Sequence, residues 1–328
     1  MTVTKRTLIA SFALCAMSSP LFAWAQQAQQ VFRIGVLGVA SPSGYALQVE
    51  AFRRGLRDLG YIEGKNVLIE FRWADGNISR LPELASELVR LNPDVIVTSG
   101  PGSAIAKRAT STIPIVMAVA SNAVESGLVA SLARPGGNVT GSSSFSSELS
   151  TKHLELLKET FPRLARVGLL LYSNSPTNNS ELVKALTDAA RIKKVQLQLV
   201  EVGGIADFEP AFATLLKGRA QALIVAGHTV FVAEAPRIAQ LARTSRLPVI
   251  GSVEIADAGG LLAYGVNFPE LWGRAASFVD KILRGAKPAD LPVEQAMRFE
   301  IVVNLNTAKA LGVTIPIPVR LRADRLID

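Results

Sequence analysis

The run Asp94-Val95-Ile96-Val97-Thr98-Ser99-Gly100-Pro101-Gly102-Ser103 constrains the chain more than any other stretch. Three apolar residues, two of them Val, stop abruptly in small and hydroxylated ones, and Ala104 to Lys107 beyond are compatible with a helix. That pattern predicts a buried parallel strand, a tight turn and the start of a helix. Ile113 to Ala118 repeats it, emptying into Ser121 and Asn122. Adjacent parallel strands with polar C-terminal exits form one wall of a crevice in an open α/β sheet. Free backbone N–H groups and the positive end of the helix dipole suit such a place to a ligand carboxylate or phosphate.

The pattern spreads along the chain. Arg33 to Gly38 reads as a first buried strand. It is followed by a helix with Val49, Phe52, Leu56 and Leu59 inward, stopped at Gly60. Val67 to Trp73 reads as a strand, Ser79 to Leu91 as a helix with Leu81, Leu84, Ala85 and Leu88 inward, and Val139 to Ser142 as a strand. An amphipathic helix over Ser150 to Phe161 then opens a second set. Here Arg166-Val167-Gly168-Leu169-Leu170 echoes Arg33-Ile34-Gly35-Val36-Leu37, and Ala222 to His228 echoes Asp94 to Gly100. The expected fold is α/β, with two doubly wound, Rossmann-like lobes joined by a hinge. Residues 31–145 with about 264–295 form the expected first lobe and 146–263 the second; the tail 296–328 is left unplaced. Within this scheme Ser142 to Phe145 is the first crossover, and Leu261 to Gly265 is a strand returning to the first lobe. Pro269 to Leu283 is a helix with Trp272, Ala275, Phe278, Val279 and Ile282 inward.

At the N-terminus Lys5-Arg6, a short apolar core and Ala23-Trp24-Ala25 read as a secretory signal peptide cut after Ala25. The expected location is therefore the periplasm. The only cysteine, Cys15, lies in that segment, so the mature chain is expected to have neither disulfide nor thiolate metal site. Cleavage removes Lys5 and Arg6 and no acid, taking the net charge from +8 to +6. The remaining basic residues are interspersed with acids and lack interleaved aromatics, which argues against nucleic acid as a partner.

Reactive constellations are missing from the sequence: no nucleophile elbow, phosphate-binding Gly-Lys loop or dinucleotide fingerprint occurs. His153 and His228 are the only histidines, which leaves no zinc spacing. His153 sits in a charged helix and reads as solvated, whereas His228 follows a buried strand at the rim of the expected cleft. No cofactor, metal or catalytic residue is expected. A binding cleft needs short donors for a polar head and apolar faces for the ligand body. The strand exits offer Ser41, Ser43, Ser99, Gly100, Ser103, Ser121, Asn122, Ser173 and Thr229, with the aromatics Tyr45, Phe145, Tyr172, Phe231 and Tyr264. His228 joins them as a ligand contact, and Glu254 is the acidic candidate to pair with a ligand ammonium. Micromolar affinity is about 8 kcal/mol. An aromatic body burying roughly 150 Å² contributes about 4 kcal/mol of that.

Several runs in combination resemble the family of ABC-importer substrate-binding proteins that includes tryptophan- and tyrosine-binding members. They are Ala51 to Tyr61 with Glu63-Gly64-Lys65-Asn66 and Arg80-Leu81-Pro82, then Ser126 to Gly141, then Ala258-Gly259-Gly260-Leu261 with Tyr264-Gly265, and Ala286 to Gln295. The resemblance covers nearly all of the mature chain. It implies a type I periplasmic-binding fold that closes two lobes on a small organic solute, an aromatic or other amino acid among the possibilities. A membrane permease of an ABC importer is the implied partner, and a monomer is expected. The chain departs from the family at Asn122-Ala123-Val124, where relatives commonly carry Asp-Pro-Val; the change touches either the ligand's polar head or only a turn. Two other readings stay open from the residues: an exported enzyme using His228, and a periplasmic sensor signalling to a membrane receptor.

Overall fold

The computed structural model describes residues 31–144, 146–173, 179–295 and 298–328. The first set of elements runs β1 (Phe32–Gly38), α1 (Ala46–Asp58), β2 (Val67–Trp73), α2 (Leu81–Arg90), β3 (Val95–Ser99), α3 (Pro101–Ala109), β4 (Ile115–Ser121) and β5 (Val139–Ser144). The second runs α4 (Ser146–Thr160), β6 (Arg166–Tyr172), α5 (Asn179–Ile192), β7 (Gln196–Val202), α6 (Phe208–Lys217) and β8 (Ala222–Val225). It continues with α7 (Thr229–Ala233), α8 (Ala235–Thr244), β9 (Val249–Gly251), α9 (Val253–Asp257) and β10 (Leu262–Gly265). The chain ends with α10 (Phe268–Leu283), β11 (Glu294–Gln295), β12 (Glu300–Asn304), α11 (Leu305–Leu311), α12 (Ile317–Leu321) and β13 (Arg325–Ile327).

Two sheets result, ordered β11-β5-β4-β3-β1-β2 and β13-β12-β10-β9-β8-β6-β7. β1 lies between β3 and β2, as β6 lies between β8 and β7, so the echoes between the two halves fall on topologically equivalent strands. β3 shows why its sequence reads as it does. Val95 and Val97 face the layer of α1 and α10 with Phe52 and Trp272, while Ile96 faces α2 and α3 with Leu88 and Ile105. A strand covered on both faces is apolar at consecutive positions. The inner residues expected for α10 (Trp272, Ala275, Phe278, Val279, Ile282) are all buried. This helix packs on α1, where a Cβ at Gly55 would lie 2.7 Å from the Gly273 carbonyl oxygen. The glycine lets the two helix backbones approach.

The structure corrects one expectation about connectivity. Leu261 to Gly265 does not return to the first sheet: β10 pairs with β9 (Leu262 opposite Ile250) and antiparallel to β12 (Leu262 opposite Val303). It occupies the place in the second sheet that β5 holds in the first. The return follows it, in α10, which packs on the first sheet. The tail completes the second sheet, β13 pairing in parallel with β12. The chain thus passes between sheets after β5, after β10 and after β11. The sequence reading had no place for the short elements α7, α9, α12, β11 and β13.

Candidate functional site

The exits of the central strands from both sheets enclose one cavity of about 100 Å³. The first sheet contributes Gly100 and Pro101 after β3, Ser121 at the end of β4 and Ser144 at the end of β5. The second contributes Gly227, His228 and Thr229 after β8, Ser252 after β9, and Tyr264 and Gly265 from β10. The lobes are in contact around it. The Tyr172 hydroxyl reaches across from β6, sharing its proton between the carbonyl oxygens of Gly76 (2.9 Å) and Gly203 (2.8 Å). A continuous apolar cluster also joins Leu37 and Val39 of the first lobe to Val230 and Phe231 of the second. Gly100 adopts φ +52° and ψ −131°, and a Cβ there would lie 2.8 Å from Thr229 Cγ2. Only glycine meets both demands without strain.

Two buried histidines face this cavity with opposite hydrogen-bonding polarity. His228 caps α7: its Nδ1 accepts from the Val230 N–H at 3.2 Å, which assigns the ring proton to Nε2. Its ring stacks on Tyr172 at 4.2 Å and 4°. His153, on α4, has Nε2 2.6 Å from the Tyr264 carbonyl oxygen, so Nε2 donates and Nδ1 is left as an acceptor. Burial pushes the His228 imidazole down to about 3; it pushes that of His153 down to about 4, partly opposed by the bond to Tyr264. Both rings are therefore neutral near pH 7. Nε2 of His228 and Nδ1 of His153 are sealed from solvent and have no partner among the described residues, whereas the Thr229 hydroxyl lies by the Tyr45 phenol and the Ser252 hydroxyl by the Glu254 carboxyl. Unsatisfied buried polar atoms are costly, about 1–3 kcal/mol each, and clustering around one cavity points to a ligand.

Of the residues singled out in the sequence, Gly100, Ser121, His228, Thr229 and Tyr264 lie on the cavity wall. The others have different surroundings. The Tyr45 hydroxyl meets Ser99 Oγ at 2.9 Å, and its ring packs edge-on against Trp73 and Trp272. Burial pushes the Tyr45 phenol up to about 12, so it stays protonated. Ser41 and Ser43 bond each other at 3.1 Å in the turn before α1, and Ser103 is buried in the first turn of α3. Tyr172 bridges the lobes, Ser173 is half-buried beyond it, and Phe231 is in the core. Asn122 has φ +47° and donates through Nδ2 to Glu125 Oε2 at 2.7 Å, so its side chain serves the turn after β4. Asparagine is among the few residues that tolerate that conformation. Glu254 lies on α9 behind wall residue Ser252, whose hydroxyl it hydrogen-bonds; burial pushes its carboxyl up to about 7, partly opposed by its own backbone N–H and the Ser252 bond. Phe145 lies outside the described residues.

His153 was read as solvated, and the structure corrects this: only 3 % of it is exposed. The helical pattern held the clue. Leu149, His153, Leu156 and Leu157 recur at three- and four-residue spacing, and α4 lays that stripe on β8, β9 and β10. Ser252 was missed because α9 has only five residues and no periodicity to read.

Two doubly wound α/β lobes enclosing a polar-tipped cavity between their strand exits have the architecture of the two-lobed solute-binding proteins. The family model for ABC transporter substrate binding proteins matches residues 33–327, and the chain belongs to that family. It is 33 % identical over 266 residues to the tyrosine-binding protein of Clostridioides difficile (strain R20291), covering 80 % of this chain and 75 % of the relative. The fold is similar to that of the ABC domain in complex with L-Trp from Streptococcus pneumonia. The TM-score there is 0.81 at 25 % identity, covering 91 % of this chain and 100 % of the other. It is also similar to a ligand-free, open substrate binding protein with adhesive properties from Clostridium difficile. In that case the TM-score is 0.62 at 26 % identity, over 90 % and 99 %. With one percentage point less identity, the L-Trp complex is still the better structural match of the two.

Proposed function

We propose that this protein is the periplasmic solute receptor of an ABC importer, closing its lobes on a small organic molecule and delivering it unchanged to a membrane permease. The observation that carries the reading is the pair of unpartnered, buried imidazole nitrogens, on His228 and His153, in residues that line one cavity between the strand exits. Leu128, Leu149, Val225 and Phe268 supply apolar wall for the ligand body, and His228, Thr229, Ser252 and His153 supply contacts for its polar head. His228 acts as a hydrogen-bond donor, because its only protonated nitrogen is Nε2 and burial opposes taking a second proton. Residues 31–145 with about 266–295 form one moving body, and 146–265 with the tail form the other. The crossovers are the hinge. Among the described residues no helix is long and apolar enough to cross a membrane; export rests on the N-terminal segment and delivery on a separate permease.

The names of the relatives make aromatic amino acids and compounds of their shape the first solutes to try. The test is thermal unfolding of mature protein that has been denatured and refolded to strip any carried solute, with and without each compound. At a hundredfold excess over Kd a ligand adds about 2.7 kcal/mol of stability. We expect a rise in Tm of several degrees with at least one such compound. A flat response across amino acids, aromatic acids, alcohols and amides would overturn the proposal.

A further inference from the structure

The strand exits of the second sheet line the cavity; its strand entries form the opposite face, about 20 Å away along β6. Four helix-to-strand turns meet on that face, before β6, β7, β8 and β9, which are neighbours in the sheet. Side chains tie them together. Gln221 Oε1 accepts from the N–H groups of Ala165 and Arg166, and Arg166 Nε donates to the Arg219 carbonyl oxygen at 2.9 Å. Arg163, Lys194, Lys217, Arg219, Arg243 and Arg246 are exposed there, and none has an ion-pair partner among the described residues. The nearby acids Asp188 and Glu159 are taken by Arg191 and Arg322. The turns themselves (161–165, 193–195, 218–221 and 245–248) contain no Asp or Glu, whereas corresponding turns of the first lobe carry Glu63 and Asp94.

Helix dipoles account for only part of this charge. The last turns of α5, α6 and α8 already hold Arg191, Lys217 and Arg243. The next cation in each turn stands where a side chain is least welcome: Lys194, Arg219 and Arg246 have φ of 54°, 56° and 50°. The same two backbone bonds close each helix around them, as Lys194 N–H to Arg191 O and Val195 N–H to Ala190 O do for α5. The equivalent stops of the first lobe are Gly60 and Asn92, residues suited to that conformation. Three adjoining turns thus hold strained backbone and a surplus charge on one face. Apolar side chains are exposed beside them: Ile192, before Lys193 and Lys194, is 77 % exposed, and Leu216, before Lys217, is 45 %. The one aromatic in the four turns, Phe161, packs against the core, so nucleobases have no ring to stack on. Basic residues interleaved with exposed aliphatic ones match a bilayer surface, with phosphates outside and acyl chains beneath.

We infer that the strand-entry face of the second lobe docks the protein on a membrane leaflet rich in anionic phospholipid. Lys194, Arg219 and Arg246 meet the phosphates, and Ile192 and Leu216 reach the acyl boundary. Docking by this face leaves the cavity, at the other end of the strands, open to solute, and it holds whichever solute binds there. The experiment is co-sedimentation of the mature protein, leader removed, with vesicles of phosphatidylglycerol and phosphatidylethanolamine and with vesicles of phosphatidylcholine alone. We expect binding to the anionic vesicles only, lost as ionic strength rises from about 0.02 M to about 0.5 M. The triple variant Lys194→Gly, Arg219→Gly, Arg246→Gly relieves the backbone while removing three charges. It should keep or raise Tm and bind the anionic vesicles about a hundredfold more weakly. The triple variant Lys65→Ser, Arg90→Ser, Arg108→Ser removes the same charge from exposed positions of the first lobe and should bind within about twofold of wild type. Ile192→Ser should bind severalfold more weakly, and equal binding would overturn the acyl contact. Wild type absent from the anionic pellet, a glycine variant bound as tightly as wild type, or equal weakening by the first-lobe variant overturns the inference. So does tighter binding to single-stranded DNA than to the vesicles at the same salt.

Discussion

The exits of β3 and β8 occupy equivalent places in their sheets, yet they are built from opposite materials. The first is bare backbone: Ser99 turns away to Tyr45, and Gly100 leaves open the space that Thr229 of the other lobe fills. The second is side chain: His228, fixed by Val230 below and Tyr172 alongside, lines the cavity. One lobe yields room and the other brings chemistry. Internal symmetry of the fold therefore sets where the cavity lies, and departures from that symmetry set which groups line it.

The largest test of this contrast is Gly100→Val. It combines a backbone conformation that valine resists with a clash against Thr229 on closure. We expect affinity for the solute to fall more than a hundredfold, and small-angle scattering to show the lobes still apart at saturating ligand. Unchanged affinity and radius would mean that the approach of Gly100 to Thr229 plays no part in closure.

Acid should separate the lobes next, because both buried histidines belong to the second. Their folded pKa values lie below the unfolded value of about 6.5, so the unfolded state binds more protons as pH falls through that window. Stability from the neutral rings is full above about pH 6.5 and declines toward pH 4 for His153 and pH 3 for His228. The slope is at most about 1.4 kcal/mol per pH unit for each ring. Amide exchange at pH 5 against pH 7.5, corrected for intrinsic rates, should therefore rise in α4 and α7 and stay level in α3. Equal loosening of both lobes would contradict this. Burial raises the Glu254 pKa, which works in the opposite direction, since its protonated folded form is lost as pH rises toward 7.

Tyr172→Phe is the mildest change. It removes one hydrogen bond across the lobes, worth about 1 kcal/mol, and keeps the ring under His228. Titration calorimetry should find the solute bound about fivefold more weakly. A loss of a hundredfold would make Tyr172 a ligand contact rather than a latch.

Much of this was legible in one dimension because the physics was local. Val95 to Val97 must be a strand covered on both faces, and Trp272 to Ile282 must be the buried stripe of a helix, whatever surrounds them. The site was half legible. Gly100, Ser121, His228 and Thr229 were found because cavities in this architecture form at strand exits, a rule that needs only the strands. His153 was misread because its charged neighbours along the chain, Lys152 and Glu155, lie on a different side of α4 from the leucines that share its face.

The sequence by itself determined the alternation of strand and helix, the doubling of the pattern and the scarcity of reactive groups, since each follows from the order and type of residues. Only the tertiary structure decided that Tyr172 faces Gly76, that Gly100 faces Thr229, and that β10 stays in the second sheet. The first two of those pairings join residues about a hundred positions apart. Their energies come from burial and close approach, which do not exist until the two sheets have formed and met.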